Sequence, residues 1–356
     1  MMRRYVAVAV LGMTVWLAGV TSADAQSAML NLPRVSQHAE VLQRIGITDI
    51  TIQYARPLVR GRKIFGGLAP YGKPWRAGAN ENTTIAFSDP VTIDGRALAK
   101  GTYGLHMIPG ESSWIIAFSR NSTAWGSFTY DPAEDALRIT VTPETMANQD
   151  VLSYAIDDPT LTSAVVTMRW EKVGVSFKVG VDTPEIVAAS LRNQLRGRAQ
   201  FEWEPWSEAA TYLLDNHLSA EEALKYTETS IGNEDRSENE FVKARALTAL
   251  GRKHEATAAR NRAIEIGSQL QIQSYARGLQ TQGHYDEALE LFRANIKKDP
   301  KSWVAHNETA RLAVANGDFA AAIKEMKLAI PVAPESVKGQ LNNLITQLQN
   351  KVDINK

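Results

Sequence analysis

Between residues 47 and 181 apolar and polar positions alternate with a period of two. In DITIQY (49–54), Ile50, Ile52 and Tyr54 fall on one side and Asp49, Thr51 and Gln53 on the other. LRITVT (137–142) places Leu137, Ile139 and Val141 inward; VVTMRW (165–170) does so with Val166, Met168 and Trp170, and VSFKVGV (175–181) with Val175, Phe177, Val179 and Val181. This is the signature of half-buried strands. Shorter segments at 83–87, 91–93, 103–108, 114–118 and 125–130 are further strand candidates. Asp94-Gly95 marks a tight hairpin, and Pro109-Gly110 separates YGLHMI from WIIAF. Eight to ten short strands within about 135 residues, with no helical period among them, predict a β-sandwich or barrel.

Around Asp182-Thr183-Pro184 the period changes, and from about residue 185 apolar positions recur at three and four. A repeat is visible there. Gly283, Tyr285, Ala288, Phe292 and Pro300 match Gly317, Phe319, Ala322, Met326 and Pro334, each at a spacing of 34 residues. The spacing and residue types resemble the tetratricopeptide repeat. Weaker copies lie upstream: Gly251 and Ala256 precede Gly283 and Ala288 by 32 residues, and Ala223 precedes Ala256 by 33. A capping helix is expected at about 335–350, with Asn342, Gln347 and Gln349 giving it a polar outer side. One helical hairpin cannot bury its apolar face alone, so a stack is expected. The fold class is therefore multi-domain α and β: an N-terminal antiparallel β-sandwich followed by a C-terminal α-solenoid.

The N-terminus reads as an export signal. Arg3-Arg4 precedes an apolar run over residues 5–20, and Ala23-Asp24-Ala25 is a small-x-small cleavage site before Gln26. The expected divisions are 1–25 for the signal, 26–182 for the sandwich and 183–356 for the repeats, with a periplasmic or secreted mature chain that is not stably inserted in a membrane. The chain has no cysteine, which excludes disulfides, thiolate catalysis and Cys-ligated zinc. Its net charge is zero, so nothing global draws it to nucleic acid.

Catalytic templates fail. Gly67 to Lys73 resembles the start of a phosphate-binding loop, but Pro74 stands where Ser or Thr is needed. His254-Glu255 lacks a histidine at Ala258, there is no G-x-S-x-G, and His38 and His106 alone cannot form a three-histidine site in the sandwich. Glu134-Asp135 and Asp157-Asp158 sit beside prolines and read as turns. No cofactor and no metal is expected.

One stretch is unevenly charged. Between 44 and 76 there are seven basic residues and a single acid, Asp49. Within the long irregular segment 54–81, Arg56, Arg60, Arg62 and Arg76 offer forked donors suited to an anion, Trp75 a stacking face, and Asn80 and Glu81 polar contacts. His106 alternates away from Leu105 and Met107, and Trp125 begins the 125–130 candidate, so both fall in reach of that loop. The competing reading is structural: arginines satisfying loop carbonyls, with Trp75 and Phe65 plugging the end of the sandwich.

ARPLVRGRKIFGGLAPYGKPWRAGANENTTIAFSDPVTIDGRALAKGTYGLHMIPGESSWIIAF (55–118) and WGSFTYDPAEDALRITVTP (125–143) resemble the bacterial family known as domain of unknown function 2911, over roughly residues 30–182. The resemblance implies an exported β-rich domain, sometimes joined to tetratricopeptide repeats, and no catalytic residue. The reading that follows is a binding or scaffolding protein. Its repeats hold a protein or peptide segment, and its sandwich holds an anionic or polar envelope ligand, a small molecule or glycan, through Arg56, Arg60, Arg62, Arg76 and Asn80. The alternatives are a hydrolase using Glu81 or His106 as general acid–base, and a purely structural envelope protein.

Overall fold

The computed structural model describes residues 33–356; the export signal expected over residues 1–25 lies outside them. The strands are β1 (Gln37–Ile45), β2 (Thr48–Arg56), β3 (Thr84–Phe87), β4 (Val91–Ile93), β5 (Arg96–Leu98), β6 (Gly101–Ile108), β7 (Trp114–Ser119), β8 (Asp135–Val141), β9 (Glu144–Asp157) and β10 (Ser163–Gly180). They form two sheets, one of six strands in the order β1-β2-β3-β6-β7-β8 and one of four in the order β5-β4-β10-β9. Every ladder is antiparallel. The alternating residues point as their period requires. Ile50, Ile52, Tyr54, Leu137, Ile139, Val166, Met168, Trp170, Val175, Phe177 and Val179 are all buried in one core.

Two strand expectations are corrected. Residues 125–130 form no strand; they belong to a loop that leaves β7 and returns to β8. The runs 165–170 and 175–181 are one strand, β10, whose ladder with β9 shifts register around Glu171, a residue with φ of 54°. That bulge absorbs the break in the alternation. β8 is an edge strand yet showed its alternation, because Leu137 and Ile139 enter the core; β1 and β9, also edge strands, escaped the pattern. Their partly solvated faces carry polar residues and even an exposed Leu42, so no clean alternation survives.

The irregular connection from β2 to β3 packs on the sandwich. Phe65 meets Trp114 edge-on at 4.8 Å, Trp75 stacks on Trp170 at 5.6 Å, and Ile64 and Ala69 are fully buried beside them. Trp75 also exchanges two backbone hydrogen bonds with Met107, both 2.8 Å, and Leu105 donates to the Thr83 carbonyl. The loop thus continues the lane of β3 along β6. An aromatic burying 150–250 Å2 in such a contact contributes strongly to a core, so the connection is fixed from within the core.

Ten helices follow among the described residues: α1 (Thr183–Gln194), α2 (Trp203–Asp215), α3 (Ala220–Asn233), α4 (Ser237–Ala249), α5 (Lys253–Ile266), α6 (Gln269–Thr281), α7 (Tyr285–Ile296), α8 (Trp303–Ala315), α9 (Phe319–Val332) and α10 (Glu335–Gln349). α1 joins the two parts. Asp182 caps it, Ile186 packs on the sandwich core, Ala188 packs on the first helical core, and Arg192 holds Glu222 of α3 through two bonds of 2.8 and 2.7 Å. α2–α3, α4–α5, α6–α7 and α8–α9 are antiparallel pairs, and the small residues Ala223, Ala256, Ala288 and Ala322 are buried where helices meet. The first helices of successive pairs also touch, α2 on α4, α4 on α6 and α6 on α8, so they share one face of the array.

Each pair turns on one left-handed residue. It is Gly251, Gly283 and Gly317 in the later pairs, with φ of 74, 86 and 76°. In the first pair it is His217, φ 54°, and after α10 it is Lys351, φ 56°. The hydrogen bonds are the same at all five: Gly283 N–H to Gln280 and His284 N–H to Leu279, for example, or His217 to Leu214 and Leu218 to Leu213. A residue with a Cβ costs roughly 1–2 kcal/mol in this backbone region. His217→Gly is therefore expected to raise stability by about 1 kcal/mol, measured as a higher denaturation midpoint of the helical far-UV signal with an unchanged slope.

Candidate functional site

The first polar assembly lies on the outer side of the six-stranded sheet. Across β6, β7 and β8 the register aligns His106, Ala117 and Arg138. Ala117 is small, and the Tyr130 ring lies between its larger neighbours, 4.8 Å from the His106 ring. Tyr130 donates its hydroxyl to Asp135 at 2.6 Å and accepts from Arg138 Nη2 at 2.6 Å; Arg138 also pairs with Asp135. His106 is 2% exposed, with Nδ1 2.8 Å from the Ser127 hydroxyl. Burial drives the imidazole down to about 4, so the ring is neutral at neutral pH. Burial, with the bond to Asp135, pushes the Tyr130 phenol up to about 12. Arg76 faces this assembly from the β2–β3 connection: its guanidinium reaches the Asn80 carbonyl and stacks on Phe128 at 5.1 Å.

The second assembly lies on the face made by the first helices. Residues after α10 turn back at Lys351 and run across α8 and α6. Ile354 is buried in the last helical core. Its carbonyl accepts from Arg311 and, at 3.3 Å, from Arg277. The Asn355 amide accepts from Gln280 at 2.9 Å and donates to the Arg311 carbonyl at 3.0 Å. Asn307 holds Arg311 Nε at 2.9 Å. Burial, reinforced by the charge of Arg277, lowers the Arg311 guanidinium from its usual range. At the other end of the face, Trp203, Tyr212 and Thr211 of α2 with Glu204, Glu208 and Glu238 line a cleft of about 410 Å3.

Residues 36–179 match the family model described as protein of unknown function (DUF2911), and residues 279–348 match a tetratricopeptide repeat model. The chain joins a DUF2911 domain to tetratricopeptide repeats. No curated protein matches it. Three solved structures are similar to parts of it: that of MamA, 17% identical over 44% of this chain and 92% of that one, TM-score 0.27; that of YrrB, titled a TPR protein with an unusual peptide-binding site, 17% identical over 45% and 84%, TM-score 0.25; and the C-terminal part of a TPR repeat-containing protein from Cytophaga hutchinsonii, 11% identical over 47% and 67%, TM-score 0.29.

Within the DUF2911 domain the residues expected to form one anion site do not converge. Arg56 donates to the Leu152 carbonyl at 3.1 Å, and Arg62 to those of Val59 and Leu58 at 3.1 and 2.5 Å. Arg60 sits exposed at a turn with φ of 50°. Trp75 is in the core. Asn80 holds the Ser36 carbonyl at 2.8 Å, and Glu81 is paired with Arg34 on the surface. Trp125 is half exposed, its ring under Arg34 at 5.9 Å. Among the described residues only Arg76 and His106 of this set reach the outer-face assembly; Glu81 is paired with Arg34, and His106 with Ser127. Ser127, Tyr130, Asp135 and Arg138 were missed because their meeting depends on cross-strand register. Arg277 and Arg311 were legible: with Arg245 they stand six residues before Gly251, Gly283 and Gly317. No helix among the described residues is long and apolar enough to cross a membrane.

Gly126, with φ of 69°, lies against the Arg76 guanidinium, and a Cβ there would collide with it. Gly72 has φ of 70° but nothing within 4 Å. Gly126→Ala is expected to destabilise the DUF2911 domain by about 1–3 kcal/mol, since the Arg76 guanidinium it displaces can swing aside, and Gly72→Ala by about 1–2 kcal/mol, read by tryptophan fluorescence in denaturant. Glu308 of α8 gives a pH prediction. It is fully buried, accepts from Asn295 at 2.7 Å, and has a second oxygen with no partner. Burial raises its carboxyl from 4.5 to about 8, against the pull of Asn295 and Arg311. An acid whose folded value is raised stabilises fully below its unfolded value and loses that contribution as pH rises through the folded one. The repeats should weaken from pH 4.5 to about 8, and Glu308→Gln should flatten that slope in far-UV melts; an unchanged slope would show the acid to be ionised.

Proposed function

We propose that the chain is an exported binding protein whose tetratricopeptide array holds a short segment of a partner protein on the face made by its first helices. One observation carries this reading: a short turn, residues 353–356, already lies on that face, its Ile354 carbonyl held by Arg277 and Arg311 and its Asn355 amide held between the Gln280 side chain and the Arg311 carbonyl. The cleft at α2 and α4 extends the same face; the protein's own Arg236 already covers Trp203 and faces Glu238 there, and Tyr212 with Glu204 and Glu208 suits the apolar stem and charged head of a lysine or arginine from the partner. The export segment at residues 1–25 supports an envelope or external partner. The DUF2911 domain supplies a rigid neighbour tied on through α1. A dedicated anion site there draws no support from Arg56, Arg62 and Arg76, which are spent on the protein's own carbonyls, while Arg60 stands apart at an exposed turn.

A photo-crosslinking residue at Glu208, exposed beside the α2 cleft, tests the reading, with one at Thr140, exposed on β8, as the comparison. In cells of the native host, position 208 is expected to yield a discrete protein adduct several-fold above position 140. Equal labelling at both positions, or none at 208, would sink the proposal.

A further inference from the structure

We infer that the segment after α10 is a displaceable ligand for a site built from Arg277 and Gln280 of α6 and Asn307 and Arg311 of α8, a site that reads a short turn in which an aliphatic residue is followed by asparagine. The inference rests on the array being a segment-binding face and adds what it recognises and how access to it is controlled.

The site draws on a repeated position of the array. Arg277 and Arg311 occupy the same place in successive repeats, 34 residues apart, so two guanidiniums project side by side from neighbouring first helices. Among the described residues neither forms an ion pair with a carboxylate. Their partners are Gln280, Asn307 and the carbonyl of Ile354. Arg245, at the same place one repeat earlier, is instead bound to Asp215 at 2.5 Å. Two cations held open beneath one carbonyl make charge-assisted bonds stronger than neutral ones.

Recognition has two parts. Ile354 enters the apolar core shared by α8, α9 and α10. Asn355 uses both ends of its amide, accepting from Gln280 and donating to the Arg311 carbonyl. An aspartate there would turn a carboxylate oxygen toward a carbonyl and lose the donor.

The segment is also poised to leave. Its return depends on Lys351 in the left-handed region, which a lysine adopts only under strain. A short tether supplies an effective concentration of order millimolar, so a partner segment of the same pattern competes only when abundant or better matched.

The test compares the whole chain with a chain lacking residues 352–356, probed by a fluorescein-labelled peptide of those five residues in anisotropy titrations extended to roughly millimolar concentration. The shortened chain should bind the peptide at least ~10-fold more tightly than the whole chain, and a peptide carrying aspartate for Asn355 should bind it at least ~10-fold more weakly. Equal binding to both chains overturns the inference. So does no binding to a shortened chain whose far-UV helical signal matches that of the whole chain. If shortening costs helical signal, the whole-length variant Asn355→Asp replaces it; it should bind the labelled peptide ~10-fold more tightly than the wild type, and no gain overturns the inference. A whole chain that sediments as a dimer and becomes monomeric on deletion would show that the segment serves a second copy, which also overturns it. Peptide binding without adducts at position 208 would retain this site and remove the partner reading; adducts without peptide binding would do the reverse.

Discussion

One backbone constraint organises the helical half of this protein. After each first helix the chain must pass through a left-handed residue whose two hydrogen bonds close the helix and send the next one back alongside it. His217, Gly251, Gly283, Gly317 and Lys351 all stand at that point. Because the turn is the same each time, each pair stacks on the last in the same way, and a side chain at one repeat position recurs on the shared face. That is how Arg277 and Arg311 come to stand together. At the fifth turn the same geometry directs residues 352–356 onto the first-helix face.

The sandwich answers to a different constraint, the burial of aromatics at one end. Phe65, Trp75, Trp114 and Trp170 pack against one another and fix the long connection between β2 and β3. Once Trp75 is held in the core, strand-like alternation turns Arg76 to the opposite side, where Gly126 and Phe128 enclose it. The crowding of Trp75, Arg76, Asn80 and Glu81 is thus explained by one lane of backbone continuing β3, with consecutive residues facing core, outer face and neighbouring loop. Arg56, Arg62 and Arg76 satisfy carbonyls that no ladder reaches, which lowers the cost of an irregular but ordered loop.

Both halves bury titratable groups, with opposite consequences. His106 is kept neutral by burial, and a base with a lowered value adds stability as pH rises from about 4 toward 6.5. Glu308 is kept neutral too, and its contribution fades as pH rises toward about 8. The two domains should therefore differ in the pH at which each is firmest. This follows from buried single charges being costly whichever sign they carry.

The sequence by itself determined the two-part architecture. Periods of two and of three to four, and five positions kept at a spacing of 34, are local facts that burial of one apolar face makes legible. Central strands such as β2 and β10 could be read this way, because both the apolar face and the register are imposed by the core. β1 and β9 could not, because most of their side chains are partly or fully solvated and the apolar alternation is lost. Only the tertiary structure decided where the polar chemistry sits. Whether Arg62 meets a ligand or the Leu58 carbonyl, and whether Tyr130 joins His106 to Arg138, depends on cross-strand register and loop packing that no local pattern encodes. The docking of Ile354 and Asn355 on α6 and α8 is of the same kind: residues some 75 apart in sequence meet only because the stack has already formed.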